Sequence, residues 1–406
     1  MQHKVVCVVG LGYIGLPTAA LLATAGYTVV GADLNSRAVE TINRGQIHIV
    51  EPDLDAYVRS AVTAGKLKAF GVPQPADIYM ICVPTPFHKA EGIPQPNINF
   101  VLEATRRIAP LIKPGDMIIL ESTSPVGTTR HIGEVLRQAG VDISTVHLAY
   151  CPERVLPGKI MMELVENDRV VGGLTPEATC TVAAFYRSFV RGEVLETDAA
   201  TAEMCKLTEN SYRDVNIAFA NELSLLCANV GIDVWKLIKL ANRHPRVSIL
   251  QPGTGVGGHC IAVDPWFLVS QDPNTARLIH TARRVNDSKT EWVIDHIQSV
   301  ASRLGHLKDK RAKIACFGMT FKPDIDDVRE SPAIRVIESL IREGYETIVV
   351  EPNIQSHTSM QLTSVEEALD QADIIALLVK HREFVQLFQS GLLSDERVLD
   401  FCGVST

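Results

Sequence analysis

Basic residues are in short supply in this chain: 39 Lys and Arg stand against 47 Asp and Glu, for a formal net charge of −8 and a pI near 5.9. Such a balance gains little from a polyanion, which argues against a nucleic-acid partner and leaves room only for a pocket with a few local cations. Paired cysteines are missing too. The nine cysteines are odd in number and scattered, with no C-x-x-C pair and no Cys/His group at zinc-ligand spacing, so no metal is expected. Cys7 in VVCVV and Cys316 in IACFG lie inside apolar runs, where cysteine is a small core residue. Most of the set reads as reduced thiols of a cytoplasmic protein. Low-complexity tracts and short-period repeats are absent. The charge-free stretch between Lys4 and Asp33 is broken by Gly10, Gly12, Gly15, Pro17, Gly26 and Gly31, too often for a membrane helix or a signal peptide. An unprocessed cytoplasmic chain without a membrane partner is the expectation.

What is present describes a globular protein: 46% apolar and 21% charged residues, with a mean hydropathy of +0.11. A length of 406 residues predicts two or three domains. From the start, KVVCVVG, YTVVGAD, DIYMICV, DMIILES and VHLAYC alternate with helical patterns, as in a parallel sheet covered on both faces. Ligands of such sheets bind outside the carboxyl ends of the strands. From about Asp198 the texture turns helical, and alternation returns with KIACFG, TIVVEP, DIIALLV and RVLDF. The fold class is therefore α/β, with two doubly wound Rossmann-like domains joined by a long central helical region. The expected bounds are 1–197, 198–305 and 306–406.

Four groups of residues carry chemistry. Gly10-x-Gly12-x-x-Gly15 follows a strand and opens a helix, and Asp33 ends the next strand. The glycines allow a tight turn and close approach of a pyrophosphate, while Asp33 suits ribose hydroxyls and repels a 2′-phosphate. That favours NAD over NADP, with Arg37 nearby as a counterweight. Lys206, Asn210 and Arg213 share one face of AEMCKLTENSYRDVNIAFANELSLL, whose apolar flanks predict a helix buried between domains. A lysine there needs an anionic partner or a catalytic task, although a solvated polar stripe would look the same. In GTGVGGHC, glycines at 253, 255, 257 and 258 leave the Cys260 thiol accessible, and Asp264 follows in IAVDP. His244 and Arg246, just upstream, are cations suited to a sugar or phosphate. Finally, Phe321-Lys322-Pro323-Asp324 and Arg329 lie on a strand-end loop that either binds a second nucleotide or is plain surface charge.

Together with PTP, ESTSPVGTT and CPERVLPGK, these motifs resemble the UDP-glucose/GDP-mannose dehydrogenase family over essentially the whole chain. Within it, NRHPRV and GVGGHCIAVDPWF are most similar to members that oxidise UDP-N-acetylmannosamine, and Thr254 departs from an expected proline. The resemblance implies a four-electron oxidation of a nucleotide-sugar C6 alcohol to a carboxylate with two NAD, serving cell-surface polysaccharide synthesis. It implies Cys260 as nucleophile, Lys206 as a cation that stabilises developing oxyanions or shuttles a proton, Asn210 as a second oxyanion donor, and Glu153 and Asp264 as groups that position or activate water. Tyr13, Ile14, Asp33, Arg37, Thr85 and Thr123 are implied for NAD, with Arg329 reaching it from the C-terminal domain. Arg154, Val155, Lys206, Asn210, Arg213, His244, Arg246, Gly257 and Lys322 are implied for the UDP-sugar. A homodimer through the central helices is implied as well. UDP-N-acetylglucosamine and UDP-glucose are the alternative substrates, and a catalytically silent nucleotide-binding module is the alternative of another class.

Overall fold

The computed structural model describes residues 4–88, 92–308 and 311–406 and divides into two compact units, Met1–Glu209 and Asn210–Thr406. In the first unit the strands are β1 (Val5–Val9), β2 (Thr28–Ala32), β3 (Leu67–Phe70) and β4 (Ile78–Ile81). A short antiparallel hairpin, β5 (Phe87–His88) and β6 (Gln95–Pro96), is followed by β7 (Met117–Leu120), β8 (His147–Tyr150), β9 (Arg169–Gly173) and β10 (Val194–Asp198). The eight-stranded sheet runs β10-β9-β8-β7-β4-β1-β2-β3, and only the β8–β9 pairing is antiparallel. Both faces are covered, so β4 (IYMI) and β7 (MIIL) are buried at every position. Side chains alternate between two cores: Val6, Val8, Met80 and Ile119 on one face, Cys7, Val9, Ile81 and Leu120 on the other. After β3 the chain crosses to the opposite side of β1, which opens a switch-point crevice at the carboxyl ends of β1 and β4.

The second unit holds a four-stranded parallel sheet, β12-β11-β13-β14, from β11 (Lys313–Phe317), β12 (Glu346–Val350), β13 (Ile374–Leu377) and β14 (Val398–Asp400). Ahead of it lies a long helix, Arg277–Lys308. Helix Pro332–Arg342 starts on Ser331, whose side chain accepts from Ile334 N–H, and buries Ala333, Val336, Ile337 and Leu340. That spacing is one helical face, and the cap stabilises it by about 1 kcal/mol.

The other long helix, Ala199–Val230, only partly matches the expectation of a buried element. Lys206, Ser211, Asp214, Asn221 and Ser224 are buried, but Tyr212 (71% exposed), Phe219 (52%), Leu226 (55%) and Val230 (68%) form an open apolar stripe. Tyr212, Phe219 and Leu226 are seven apart and Val230 follows four later, both spacings that return to nearly the same face.

Candidate active site

The glycine turn after β1 is built as a dinucleotide cradle. A Cβ on Gly10 would lie 2.7 Å from the Cys82 carbonyl oxygen, and one on Gly15 would collide with the Gly10 carbonyl, so both glycines are required by the protein itself. Gly12 is different: a Cβ there would meet nothing within 4 Å. Its lack of a side chain leaves space for a ligand, and no side chain caps helix Gly15–Thr24, whose N-terminal dipole faces the turn. The residues therefore fit a pyrophosphate. Asp33 accepts Leu11 N–H at 2.8 Å and Asn35 N–H at 2.8 Å, which ties the turn to the end of β2. A carboxylate has about four acceptor positions, so two remain for a ribose diol. Tyr13 and Ile14 are half-buried at the turn, and Arg37 is exposed on the helix that follows Asp33. Along the same strand ends, the Thr85 hydroxyl donates to the Thr123 carbonyl at 2.6 Å and so joins two of the expected cofactor residues.

Behind this rim lies a buried ionic cluster. Glu153 accepts from Arg169 Nη1 at 2.6 Å and from Arg154 N–H at 2.6 Å. Arg169 is 1% exposed. Glu121 accepts from the Tyr186 hydroxyl at 2.6 Å and from the Cys82 thiol at 3.2 Å. Burial, and then the charge of Glu153, push the Glu121 carboxyl up to about 7. The Arg154 side chain is clamped by Glu209 at 2.9 Å, and Val155 packs on the core.

On the long helix, Lys206 is 9% exposed and has no hydrogen-bond or ion-pair partner among the described residues. One turn on, half-buried Asn210 donates its Nδ2 to Asp264 Oδ2; Arg213 faces solvent. Asp264 is buried at the start of helix Asp264–Gln271, and its N–H donates to the Cys260 carbonyl at 2.8 Å. Cys260 is half-buried. The loop before it fits against the FKPD segment: a Cβ on Gly257 would lie 2.6 Å from the Glu330 carbonyl, and Gly258 N–H donates to the Arg329 carbonyl at 3.0 Å. Two motifs read separately in the sequence are thus one structural assembly. Arg329 itself grips Asp327 through Nε and Nη2; burial pushes Asp327 up, and this grip more than offsets it, holding the carboxyl below its usual range. Lys322 is half-buried, while His244 and Arg246 are exposed beyond helix Val234–Ala241.

Several supporting residues escaped the sequence reading because their partners are far away in the chain. Glu51 accepts from Gly158 N–H (2.8 Å) and Ile160 N–H (2.7 Å), fixing the segment that follows Arg154. Glu203 accepts from Gly127 N–H (2.6 Å) and Thr129 N–H (2.7 Å), fixing the loop after Thr123 to the lysine helix one turn before Lys206. Thr254, the departure from proline, is buried and donates to the Leu378 carbonyl at 2.6 Å, so a hydrogen bond restrains the loop at this position.

The three parts of the chain match, in order, the NAD binding domain (residues 4–190), the central domain (200–288) and the UDP binding domain (315–405) of one family. The chain belongs to the UDP-glucose/GDP-mannose dehydrogenase family. It is accordingly an NAD-dependent dehydrogenase with a UDP binding domain. It is 55% identical, over 95% of both chains, to a UDP-N-acetyl-D-mannosamine dehydrogenase of Yersinia pestis. It is 51% identical, over 98% of its length and 96% of the relative's, to an NDP-N-acetyl-D-galactosaminuronic acid dehydrogenase of Ralstonia nicotianae. Among solved structures, a UDP-N-acetyl-mannosamine dehydrogenase from S. aureus superposes with a TM-score of 0.89 at 40% identity, covering 98% of this chain and 95% of that one.

Proposed function

We propose that this dehydrogenase oxidises UDP-N-acetyl-D-mannosamine at C6 to the uronate. The carrying observation is Lys206: a buried cation without a protein partner among the described residues, one turn from an amide held by Asp264. A charge so placed is costly unless an anion completes it. NAD, when bound, would supply the hydride acceptor for each of two oxidations at C6; in the first, the C6 hydroxyl proton leaves to Lys206 or, through water, to a carboxylate. Between them the Cys260 thiolate adds to the aldehyde carbon and forms a thiohemiacetal, which keeps the intermediate on the enzyme. Lys206 and Asn210 stabilise the oxyanion of that adduct. After the second oxidation Cys260 carries a thioester; water, positioned by Glu153 and Asp264, attacks it, and the carboxylate and the free thiol are released. Glu153 is suited to this by Arg169, which fixes its orientation. Asp33, Tyr13, Ile14, Thr85 and Thr123 would hold the cofactor, with Arg329 added from the UDP binding domain. Arg154, Arg213, His244, Arg246 and Lys322 would hold the UDP-sugar.

Replacing Cys260 tests this chemistry. Cys260→Ser is expected to bind NAD and UDP-sugar but to make no uronate, whereas near-normal turnover would contradict a covalent route. The 51% identity to the galactosaminuronate enzyme supports a second reading, oxidation of the corresponding N-acetylgalactosamine nucleotide. UDP-N-acetylglucosamine and UDP-glucose complete the substrate panel.

The exposed stripe of Tyr212, Phe219, Leu226 and Val230 supports a homodimer through the long helix, since a contiguous apolar patch of that kind is better covered than solvated. Phe219→Asp is expected to halve the mass in light scattering; a wild-type protein that is already monomeric would refute the dimer. No described helix is long and apolar enough to cross a membrane. We place the enzyme in the cytoplasm, where its nine free cysteines stay reduced.

A further inference from the structure

The loop that delivers Cys260 begins on a hydrogen-bond chain of fixed polarity. Gly253 N–H donates to Asn221 Oδ1 at 2.9 Å, and Asn221 Nδ2 donates to Asn286 Oδ1 at 2.9 Å. Asn286 Nδ2 in turn donates to Asp214 Oδ1 at 2.7 Å, and Arg283 Nη1 reaches the same oxygen at 2.6 Å. Asn221, Asn286 and Asp214 are each 0% exposed. A backbone N–H only donates and a carboxylate only accepts, so the two ends dictate which way both amides face. Flipping either amide would set oxygen against oxygen in a buried site, where an unsatisfied group is most costly.

The same helix holds both ends of the loop. Asn221 grips its entry at Gly253, and Asn210 grips its exit at Asp264, whose N–H bonds the Cys260 carbonyl. Asn210 and Asn221 are eleven residues apart, which is about three turns and ~16 Å, and so they lie on one face. The residue after Gly253 is fastened independently: the Thr254 carbonyl accepts from Thr290 Oγ1 at 3.0 Å, and its hydroxyl donates to Leu378.

We infer that Asn221 and Asn286 are positioning residues for the Cys260 nucleophile, holding the entry of its loop in register with the helix that presents Asn210. This rests on the reading of Cys260 as nucleophile. Both asparagines are fully buried and spend their amides on one another, Gly253 and Asp214. They act by placing the thiol and the Asn210 amide around one carbonyl, and misplacement by about 1 Å costs on the order of 100-fold in rate.

Asn221→Asp is the sharpest variant. It keeps size and the acceptor for Gly253 but loses the donor to Asn286. It is expected to lower kcat by about 100-fold while KM for NAD stays within about twofold. Acid should partly restore it: measured relative to wild type between pH 8 and 6, kcat rises as the introduced carboxyl takes up a proton and regains a donor. The charged groups around that position are Asp214, Arg283 and Asp287, with Lys289 bonded to Ser224 on the next turn. A residue that merely filled space would show no such recovery. Should this variant fail to fold, Asn286→Ala decides: it removes the acceptor of Asn221 Nδ2 while the Gly253 bond to Asn221 stays available, and kcat is expected to fall by about tenfold. A folded variant with kcat within twofold of wild type overturns the inference, as does a parallel loss of NAD binding. Near-normal turnover by Cys260→Ser, by contrast, would overturn the nucleophile reading itself.

Discussion

The two sheets solve one problem twice and use the answer differently. In each, the turn after the first strand is held by an acidic residue at the tip of the second. In the first unit Asp33 accepts Leu11 N–H at 2.8 Å; in the second Glu351 accepts Met319 N–H at 2.7 Å. Each turn also has a glycine at positive φ, Gly10 (92°) and Gly318 (97°), pressed against the chain that leaves the next central strand. The difference lies in what remains available. Asp33 is half-buried beside an open turn, whereas Glu351 is 6% exposed and committed to His381 Nε2 (3.1 Å) and Asn353 N–H (2.9 Å). His381, fully buried, uses its Nδ1 to accept Asp324 N–H at 3.0 Å and so holds the loop of Lys322. One carboxylate keeps acceptor positions open, as the proposed ribose contact requires; the other is spent on structure, holding through His381 the loop on which Lys322 stands.

Breaking that contrast should have its largest effect at Glu351. Glu351→Ala strands buried N–H groups and His381, and is expected to cost about 3–5 kcal/mol in urea unfolding. Equal stability would mean that the two acids are equivalent. Next comes Glu121, a buried carboxyl whose burden has the opposite sign. Its folded pKa of about 7 is raised above the usual 4.5, so the folded state holds the proton more tightly. Stability from this group is fully present below 4.5 and is lost as pH climbs to about 7. Glu121→Gln should therefore stabilise the protein at pH 8 by up to about 3 kcal/mol and have little effect at pH 4.5. A pH-independent difference would contradict that. The smallest effect on stability is expected at Asp33. Asp33→Asn should change it by no more than about 1 kcal/mol, yet raise KM for NAD about tenfold or more and narrow the preference over NADP. Unchanged cofactor kinetics would remove Asp33 from the site.

The same contrast explains what could be read in advance. Gly10-x-Gly12-x-x-Gly15 and Asp33 form a contiguous pattern, so cofactor and turn were legible. The matching turn of the second unit, Gly318-Met319-Thr320, has a single glycine, and its acid follows 33 residues later without a signature. Strands β1, β2, β4, β7 and β8 are apolar runs and were legible. β3 (LKAF), β9 (RVVGG) and β10 (VLETD) are interrupted by charge or glycine and were not, nor was the reversed pairing of β9. Lys206, Asn210 and Arg213 were found by helical spacing, but their graded exposure depends on packing. Glu51, Glu203 and the Asn221–Asn286 chain act across 32 to 109 residues, and no local pattern announces such partners.

The central claim is that one active site performs two successive oxidations through Cys260. Its most direct test is the NADH formed per mole of limiting UDP-N-acetyl-D-mannosamine, measured beside the other nucleotide sugars. The account predicts two NADH and a uronate from the mannosamine substrate; one NADH with a released aldehyde, or no NADH while NAD still binds, would contradict it.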